Sequence, residues 1–402
     1  MTENELALFG SSPAFENILP VGQLYFPSWE RYEIAMRGIF ERKYYTNQGP
    51  LAQQLECRLQ DFLGVKHAIC VTNGTIGLMM AVEALELTGK VIMPAFTFAA
   101  SALSLSRAGI EPVFCDVSAE THQIDINKIE PLLDSDVSGV MGVNLWGGIC
   151  EQVELVKLAR EKGLKIYFDS AHAFGCEQGG IKVGNFGDVE VFSFHATKIL
   201  SATEGGCLCT NDDQLAAKLR NIRSSYGAGE IVDVVKTSNG RMSEAQAAIA
   251  LMSLDDYSEN QQNNYQLFRL YEDRLSQLPG VRLVKPSGVN KSNYQYLVCE
   301  IEEQQFGVTR DMLMSILEKE NILARRYFYP GIHHYDEYKN LSIRGNVTLP
   351  VTDRLCKQCV QLPIGALVSG EAVGKICDII STSHKYATQI QARVSKSESS
   401  LL

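Results

Sequence analysis

The sequence predicts an α/β protein whose larger domain contains a mostly parallel sheet. Between about residues 51 and 210, short and almost entirely apolar runs alternate with segments of helical period, and continuous apolar runs are typical of strands covered on both faces. After about residue 255 the composition changes: a charged helix rich in Gln and Asn is followed by strands in which apolar and polar residues alternate. We therefore expect a larger domain over residues 1–255, including an N-terminal segment, and a smaller α+β domain over residues 256–386.

The individual elements follow from local patterns. Leu51, Leu55, Leu59 and Phe62 recur at helical spacing, and Gly64 ends that helix. A second helix is predicted over Ile76–Leu87. Seven strands are predicted, at Ala68–Val71, Val91–Met93, Pro112–Cys115, Gly139–Asn144, Lys165–Phe168, Val189–Phe194 and Cys207–Thr210.

The smaller domain is predicted to begin with the helix Asp256–Leu278 and to contain a strand at Tyr294–Ile301. Helices are expected near residues 352–360 and 370–384. Residues 387–402, which end in SKSESSLL, show no apolar period, and we expect a disordered tail there.

Composition and charge exclude several classes of function. The net charge of −10 argues against nucleic-acid binding, which needs a basic face. The N-terminus lacks the basic start and apolar run of a secretory signal, and the longest uncharged run, Val91 to Ser106, is interrupted by Pro94, so neither export nor membrane insertion is expected. Eleven scattered cysteines suit reduced thiols, and the sequence therefore predicts a cytoplasmic protein.

A CxxC pair at Cys356 and Cys359 could in principle bind a metal or undergo redox chemistry. It has no second pair and no nearby histidine, so ordinary helix packing is favoured and no metal is expected.

Two strand ends carry groups that could react. Asp169 ends the run LKIYFD, and Lys198 follows the run VFSFHATK. Because ligands of such sheets collect beyond the carboxyl ends of the strands, both side chains can reach one site. Partial removal from water disfavours the ammonium form of a lysine, and the neutral amine that results is a nucleophile toward an aldehyde. Taken alone, Asp169 could instead cap a turn and Lys198 could lie on a solvated face.

A third feature, TNGTIG at residues 72–77, lies between a predicted strand and a helix. Small residues there leave the backbone N–H groups of the helix N-terminus free to bind a phosphate, although most glycine turns are only turns. A phosphate cradle, an acid and an imine-forming lysine match the phosphate, ring nitrogen and aldehyde of pyridoxal phosphate. His172 could then bond the phenolic oxygen, or be a structural histidine, and Phe98 could cover the ring.

Several motifs together resemble a known family. FDSAHAFG, FSFHATK, EGG and TNGT are similar to the signatures of the DegT-like sugar-nucleotide aminotransferases, which are fold type I enzymes that use pyridoxal phosphate. The similarity extends from LALFGSSPAF to RRYFYPGIHH. Within that family, VIMPAFTFAA, VNLWG, YFDSAHAFGC and VFSFHATK most resemble the 4-aminotransferases of desosamine biosynthesis, which act on a dTDP-4-keto-6-deoxyglucose.

The resemblance implies roles for individual residues. Lys198 would bind the cofactor aldehyde and move the proton, Asp169 would pair with the ring nitrogen, and His172 would stand where the family has Gln or His. The phosphate would be held by Gly74, Thr75 and Ser193, and by Asn239 of a neighbouring subunit, which implies a homodimer with shared active sites. Sugar-nucleotide contacts are implied for Thr46, Asn47, Gly49, Arg325, Tyr327 and His333. Asn144 of VNLWG departs from relatives that carry His there.

The function implied by the resemblance is a two-step transamination. L-glutamate would convert the cofactor to pyridoxamine phosphate, and the 4-keto group of a nucleotide sugar would then receive the amine. Alternatives within the family are a 3-keto sugar or GDP-4-keto-6-deoxymannose as acceptor. The related 3-dehydratases carry histidine in place of Lys198, and a regulator that only binds the cofactor would not require an intact Lys198 and Asp169.

Overall fold

The computed structural model describes residues 2, 5–22, 25–224, 230–234, 236–344 and 348–399. The described residues contain a seven-stranded sheet, a three-stranded sheet and a two-stranded ribbon, and helices pack against the two larger sheets. The predicted α/β class with a mostly parallel seven-stranded sheet is therefore confirmed. None of the helices in the described ranges is long and apolar enough to span a bilayer.

The larger sheet forms where the sequence predicts it. Each predicted strand is present with bounds that differ by at most two residues. The strands of the first part of the chain are β1 (His67–Val71), β2 (Lys90–Pro94), β3 (Glu111–Cys115), β4 (Val137–Val143), β5 (Lys165–Asp169), the ribbon strands β6 (Glu177–Gln178) and β7 (Ile181–Lys182), β8 (Val189–Ser193) and β9 (Gly206–Thr210).

The order of the seven strands is β1, β9, β8, β5, β4, β2, β3. β9 pairs antiparallel with both of its neighbours, whereas the pairs β2–β3, β2–β4, β4–β5 and β5–β8 are parallel. β1, β5 and β8 therefore have their carboxyl ends at the same edge of the sheet. The segments that follow these ends are TNGT, the turn after Asp169 and the turn that contains Lys198.

Seven helices accompany this sheet: α1 (Trp29–Arg42), α2 (Pro50–Leu63), α3 (Gly74–Ala84), α4 (Ala99–Arg107), α5 (Gln152–Glu161), α6 (Asp213–Arg223) and α7 (Glu244–Asp255). α2 buries Leu55, Leu59 and Leu63 and ends at Gly64, as its periodicity predicts. α3 begins earlier than predicted because the side chain of Asn73 accepts a hydrogen bond from the backbone N–H of Ile76.

The C-terminal part contains a separate antiparallel sheet in the order β10, β11, β12, with a core of its own. Its elements are α8 (Tyr257–Leu275), β10 (Val281–Leu283), β11 (Leu297–Ile301), α9 (Glu303–Phe306), α10 (Arg310–Lys319), α11 (Lys339–Arg344), α12 (Pro350–Gln358), β12 (Cys359–Leu362), α13 (Gly370–Lys385) and α14 (Ala387–Ser399).

Several details of this part differ from the sequence prediction. The helix predicted over Asp256–Leu278 ends at Leu275, and the strand predicted over Tyr294–Ile301 begins at Leu297. The helix predicted over 352–360 ends at Gln358, because Cys359 is extended and begins β12, which pairs with β11. The predicted disordered tail is wrong for Ala387–Ser399, which form α14. Ile390 is fully buried in the core of the smaller sheet, and Gln391 Nε2 donates to the Gly307 carbonyl at 2.7 Å. Apolar residues are sparse in this segment, so the sequence does not predict the helix. Residues 400–402 lie outside the described ranges.

The N-terminal segment contacts the C-terminal core. The Glu320 carboxylate accepts hydrogen bonds from the backbone N–H groups of Ala7 and Ala14 at 2.7 and 2.8 Å, and Leu19 N donates to the Asn321 carbonyl. Leu6 and Leu19 are buried in the same cluster as β11. The sequence assigns residues 1–255 to the larger domain, whereas these contacts attach their first part to the smaller core. The domain bounds themselves stay a prediction.

Glu244, at the start of α7, holds the N-terminus of α2 in place through hydrogen bonds. It is fully buried, and its carboxylate accepts hydrogen bonds from the backbone N–H groups of Leu51 and Ala52 at 3.0 and 2.9 Å. A carboxylate at a helix N-terminus satisfies donors that have no partner within the helix. Gly49 caps α2 so close to Glu244 that an added Cβ would lie 2.5 Å from its Cδ.

Replacing Gly49 with alanine is therefore expected to lower the free energy of unfolding by about 1–3 kcal/mol, because the clash would displace a hydrogen-bonded carboxylate. Gly374→Ala in α13 is the matched control. Its Cβ would meet no atom closer than Arg274 Nη1 at 4.0 Å, so a gain of up to about 1 kcal/mol is expected. Denaturant unfolding of both variants measures the difference, and equal stabilities would contradict this account of Gly49.

Candidate active site

A cavity of about 570 Å³ lies at the carboxyl ends of the parallel strands. It is lined by segments at the ends of β1, β2, β4, β5 and β8, and by Arg325, Tyr327 and Phe328 from the C-terminal part of the chain. The candidate residues that line it are Gly74, Thr75, Phe98, Asp169, His172, Ser193, Lys198, Arg325 and Tyr327. This is the edge at which ligands of open α/β sheets collect.

Lys198 lies in the turn that follows β8. Its backbone N–H donates to the His195 carbonyl, and its Nζ donates to the hydroxyl of Tyr296 at 2.8 Å. Removal of the amine from water lowers its pKa to about 8, while the nearby Tyr327 and Asp169 oppose this shift. The neutral amine is therefore much easier to form near neutral pH than in a lysine that is exposed to water.

Asp169 is the last residue of β5 and is almost fully buried. Its Oδ2 accepts a hydrogen bond from Ser101 Oγ at 2.8 Å, and its Oδ1 accepts one from the Ala171 N–H at 3.2 Å. Burial raises the pKa of this carboxyl, whereas the two donors and the positive charge of Lys198 act in the opposite direction. Thr97 Oγ1 lies 2.8 Å from Ser101 Oγ and extends the same buried network.

His172 is held in an aromatic setting. Its ring centroid lies 4.1 Å from that of Tyr296 and 5.4 Å from that of Trp146. Burial, with the charge of Lys198, places the pKa of His172 well below its usual value, so the imidazole is neutral. Among the described residues its buried Nδ1 has no hydrogen-bond partner, which leaves one polar atom of a cavity-lining ring unused.

The predicted phosphate cradle lies where β1 passes into α3. Gly74 is the first residue of α3, and a Cβ there would lie 3.0 Å from Ser193 Cβ at the end of β8. Glycine thus allows the helix N-terminus and the strand end to approach each other closely. The first N–H groups of a helix have no intrahelical acceptor and point toward an anion.

Phe98 and the pair Arg325–Tyr327 lie on other walls of the cavity. Phe98 precedes α4 and is 59% exposed, which places its ring at the mouth. Arg325 Nη1 is 3.4 Å from the Tyr327 hydroxyl. The guanidinium of Arg325 therefore places a positive charge in the cavity wall that the C-terminal part of the chain forms.

Five predicted residues do not line this cavity. Thr46 and Asn47 are exposed, Gly49 packs against Glu244, and Asn239 is exposed beside Gly240, whose carbonyl accepts from Thr72 N. His333 is buried and lies 2.9 Å from Asp353 Oδ1.

His334 Nε2 lies 2.7 Å from the same oxygen of Asp353. Within the described ranges, His333, His334 and Asp353 form the group whose ligand atoms are close enough for a metal ion. Both nitrogen–oxygen distances are those of ordinary hydrogen bonds.

Sequence reasoning missed two polar residues at the site, Tyr296 and Ser101, and assigned no role to a third, Asn144. Tyr296, which accepts from Lys198, lies in the alternating run YQYLV, where one tyrosine cannot be told from a packing aromatic. Ser101 stands four residues after Thr97 on α4, and only the fold reveals that it reaches Asp169. Asn144 lines the cavity and donates from Nδ2 to Ser170 Oγ at 2.9 Å.

Known proteins resemble this chain over most of its length. A dTDP-4-amino-4,6-dideoxy-D-glucose transaminase of Shigella dysenteriae is 36% identical over 315 residues, which are 78% of this chain and 86% of that protein. A GDP-perosamine synthase of Vibrio cholerae is 31% identical over 363 residues, 87% of this chain and 97% of the relative.

A solved structure gives the same result in three dimensions. DesI, crystallised in the presence of its TDP-sugar product, superposes with a TM-score of 0.90 at 36% identity, and the match covers 97% of this chain and 99% of DesI. The profile of the DegT/DnrJ/EryC1/StrS aminotransferase family matches residues 30–381. The predicted family, enzyme class and cofactor are confirmed. The chain belongs to the DegT/DnrJ/EryC1/StrS family, whose aminotransferases depend on pyridoxal phosphate.

Proposed function

We infer that this protein transfers the amino group of L-glutamate to carbon 4 of dTDP-4-keto-6-deoxy-D-glucose, giving a 4-amino-4,6-dideoxy sugar nucleotide. The observation that carries this function is the meeting of the Lys198 amine and the Asp169 carboxylate in one cavity that also contains a helix N-terminus. The name of the 36% identical relative from Shigella dysenteriae and the TDP-sugar product of DesI support the choice of acceptor.

The residues present fit pyridoxal phosphate. The unsatisfied N–H groups at the start of α3, with Gly74, Thr75 and Ser193, suit the phosphate. Asp169 suits the ring nitrogen, and the unused Nδ1 of His172 suits the phenolic oxygen. When bound, the cofactor supplies an electron sink that makes the carbon–hydrogen bond beside the amine acidic.

The chain supplies the nucleophile and the proton carrier. The lowered pKa of Lys198 provides a neutral amine that can attack an aldehyde and, once released, can take a proton from one carbon and return it to another. Tyr296 holds this amine at 2.8 Å and so limits where it can move. Asp169, kept in place by Ser101, can hold a proton on a ring nitrogen beside it.

We assign substrate recognition to Arg325 and Tyr327, which line the cavity from the C-terminal part of the chain. The guanidinium of Arg325 suits either the carboxylate of the amino donor or the diphosphate of the sugar nucleotide, and Tyr327 offers a hydroxyl and a ring face next to it. His333 lies outside this cavity and pairs with Asp353; we therefore assign it no substrate contact within its own subunit.

A homodimer accounts for the candidates that lie outside the cavity. Thr46, Asn47 and Asn239 are exposed, so a second subunit could contact them. α1 and its flanks also expose an unusual set of large apolar side chains, namely Phe26, Trp29, Ile34, Phe40, Tyr44 and Tyr45. Such a patch is typical of a protein–protein interface and supports active sites shared between two copies. The cytoplasmic location stays a prediction.

The second candidate acceptor is a GDP-linked 4-keto sugar. The 31% identity with GDP-perosamine synthase over 87% of this chain favours it as the alternative. A sugar with the keto group at carbon 3 is the third possibility in the family.

Incubation with L-glutamate and each keto sugar in turn tests the substrate assignment. We expect NMR of the product to show an amine at carbon 4 of the dTDP-linked sugar, with turnover at least tenfold faster than with the GDP-linked or 3-keto sugars. Preferred turnover of either alternative would contradict the assignment while leaving the transaminase chemistry intact.

Lys198→Ala is expected to abolish turnover, a loss of about 10⁴-fold or more, because it removes both the nucleophile and the proton carrier. The visible absorbance of the lysine-bound cofactor should disappear as well. Lys198→Arg keeps the charge and should fail equally, whereas Lys162→Ala, an exposed lysine paired with Glu130, should retain both properties. Turnover by Lys198→Ala at the wild-type rate would exclude this mechanism.

The charges around Lys198 predict opposite responses to two substitutions. The negative charge of Asp169 raises the pKa of the Lys198 amine, so Asp169→Asn should lower that pKa below about 8. The positive charge of Arg325 lowers the same pKa, so Arg325→Gln should raise it. Both pKa shifts can be measured from the pH dependence of the acetylation rate of Lys198 in cofactor-free protein. Peptide mass spectrometry gives that rate. Lys162 serves as the internal reference. Shifts in the same direction would contradict this electrostatic account.

A further inference from the structure

Trp146 lies directly behind the aromatic wall of the cavity. Its ring centroid is 5.4 Å from that of His172, 5.7 Å from Tyr327 and 5.4 Å from Phe328, and it stacks on the last two. These three neighbours line the cavity, whereas Trp146 is 2% exposed and does not. Its backbone φ of 61° places it in the left-handed region, which is uncommon for a bulky residue. A fixed Trp146 therefore determines where three cavity residues can lie.

The indole ring is held by a buried histidine. Trp146 Nε1 lies 3.1 Å from His122 Nδ1, and His122 Nε2 lies 2.7 Å from Glu300 Oε1. An indole N–H can only donate, so Nδ1 accepts and the proton of the neutral imidazole is on Nε2, which donates to Glu300. Burial lowers the pKa of His122 to about 3, and this tautomer therefore persists at neutral pH.

Glu300 anchors this chain of hydrogen bonds in the smaller sheet. It lies in β11, and its carboxylate also accepts from Arg354 Nη1 at 2.9 Å and from Arg282. Arg282 Nη2 approaches His122 Nε2 as well, at 3.0 Å, but its donors have Glu300 and the Ala119 carbonyl to bind. With the carboxylate fixed by two arginines, His122 has a rigid acceptor, and the smaller sheet is connected to the cavity wall.

We propose that His122 is a positioning residue: together with Glu300 it fixes the indole of Trp146 and, through it, the rings of His172 and Tyr327. His122 touches neither cofactor nor substrate, because it does not line the cavity. The consequence for turnover rests on the proposed function, in which His172 and Tyr327 contact cofactor and sugar. The consequence for the ring of Trp146 does not depend on it.

The test uses the full chain in a Trp29→Phe background. The chain has two tryptophans, so this change leaves Trp146 as the sole tryptophan, and excitation at the red edge of the indole band avoids the tyrosines. His122→Phe keeps a ring of similar size and removes both hydrogen bonds. In cofactor-free protein, time-resolved fluorescence anisotropy should show an immobile indole in the parent and an added fast component in His122→Phe. An unchanged decay would overturn the proposal.

A double-mutant cycle tests the route of the effect on activity. His122→Phe should lower kcat about tenfold to a hundredfold, the scale expected when reacting groups are slightly misplaced. In a Trp146→Phe background, which has no indole N–H to fix, the same substitution should change kcat less than twofold. Equal losses in both backgrounds would show that His122 acts independently of Trp146 and would overturn the proposal.

Two further measurements separate positioning from general loss of stability. His384→Phe is the control, because the ring of His384 is hydrogen-bonded to the Phe306 carbonyl and does not belong to the Trp146–His122–Glu300 hydrogen bonds. This substitution should leave the anisotropy decay unchanged. Glu300→Met keeps a side chain of similar length but removes the acceptor of the His122 Nε2–H, and it should introduce an added fast component even if His122→Phe does not fold. If turnover of every keto sugar is absent but the anisotropy changes as expected, the proposed function fails and the positioning role stands.

Discussion

The desolvation of one amine is the constraint on which the site depends. Lys198 follows a buried strand and has its Nζ against the Tyr296 hydroxyl. Its ammonium form loses water there, and no carboxylate of the described residues forms a salt bridge with it. Asp169 is close enough to oppose the resulting fall in pKa, yet it is held by Ser101 and Ala171 instead of by the lysine. The two groups therefore stay separately available for a ligand that lies between them.

The architecture explains why these groups meet. β5 and β8 are parallel neighbours, so their carboxyl ends, which carry Asp169 and the turn to Lys198, lie side by side at one edge of the sheet. β1 joins the sheet beyond β9 and brings the N-terminus of α3 to the same edge. The C-terminal part of the chain closes the opposite wall with Arg325 and Tyr327. Strand direction thus brings the segments after β1, β5 and β8 to one edge of the sheet, and the C-terminal part of the chain completes the cavity.

Much of this could be predicted from sequence because the signals are local. Apolar runs located all seven strands of the large sheet, and the residues directly after those runs included Gly74, Asp169, His172 and Lys198. Contacts between distant segments left no such signal. Tyr296 meets Lys198 from the other end of the chain, and Gly49, which the family pattern associates with substrate, packs against Glu244 within this subunit. α14 was missed because the apolar residues in its sequence are sparse, although Ile390 is buried in the core of the smaller sheet.

The central claim is that Lys198 and Asp169 hold opposite ends of one cofactor. A crystal structure of the protein grown with pyridoxal phosphate tests it most directly. We expect continuous electron density from Lys198 Nζ to the cofactor, with the Asp169 carboxylate at hydrogen-bond distance from the ring nitrogen and the phosphate at the start of α3. A cofactor bound to another lysine, or a ring nitrogen facing away from Asp169, would contradict the account.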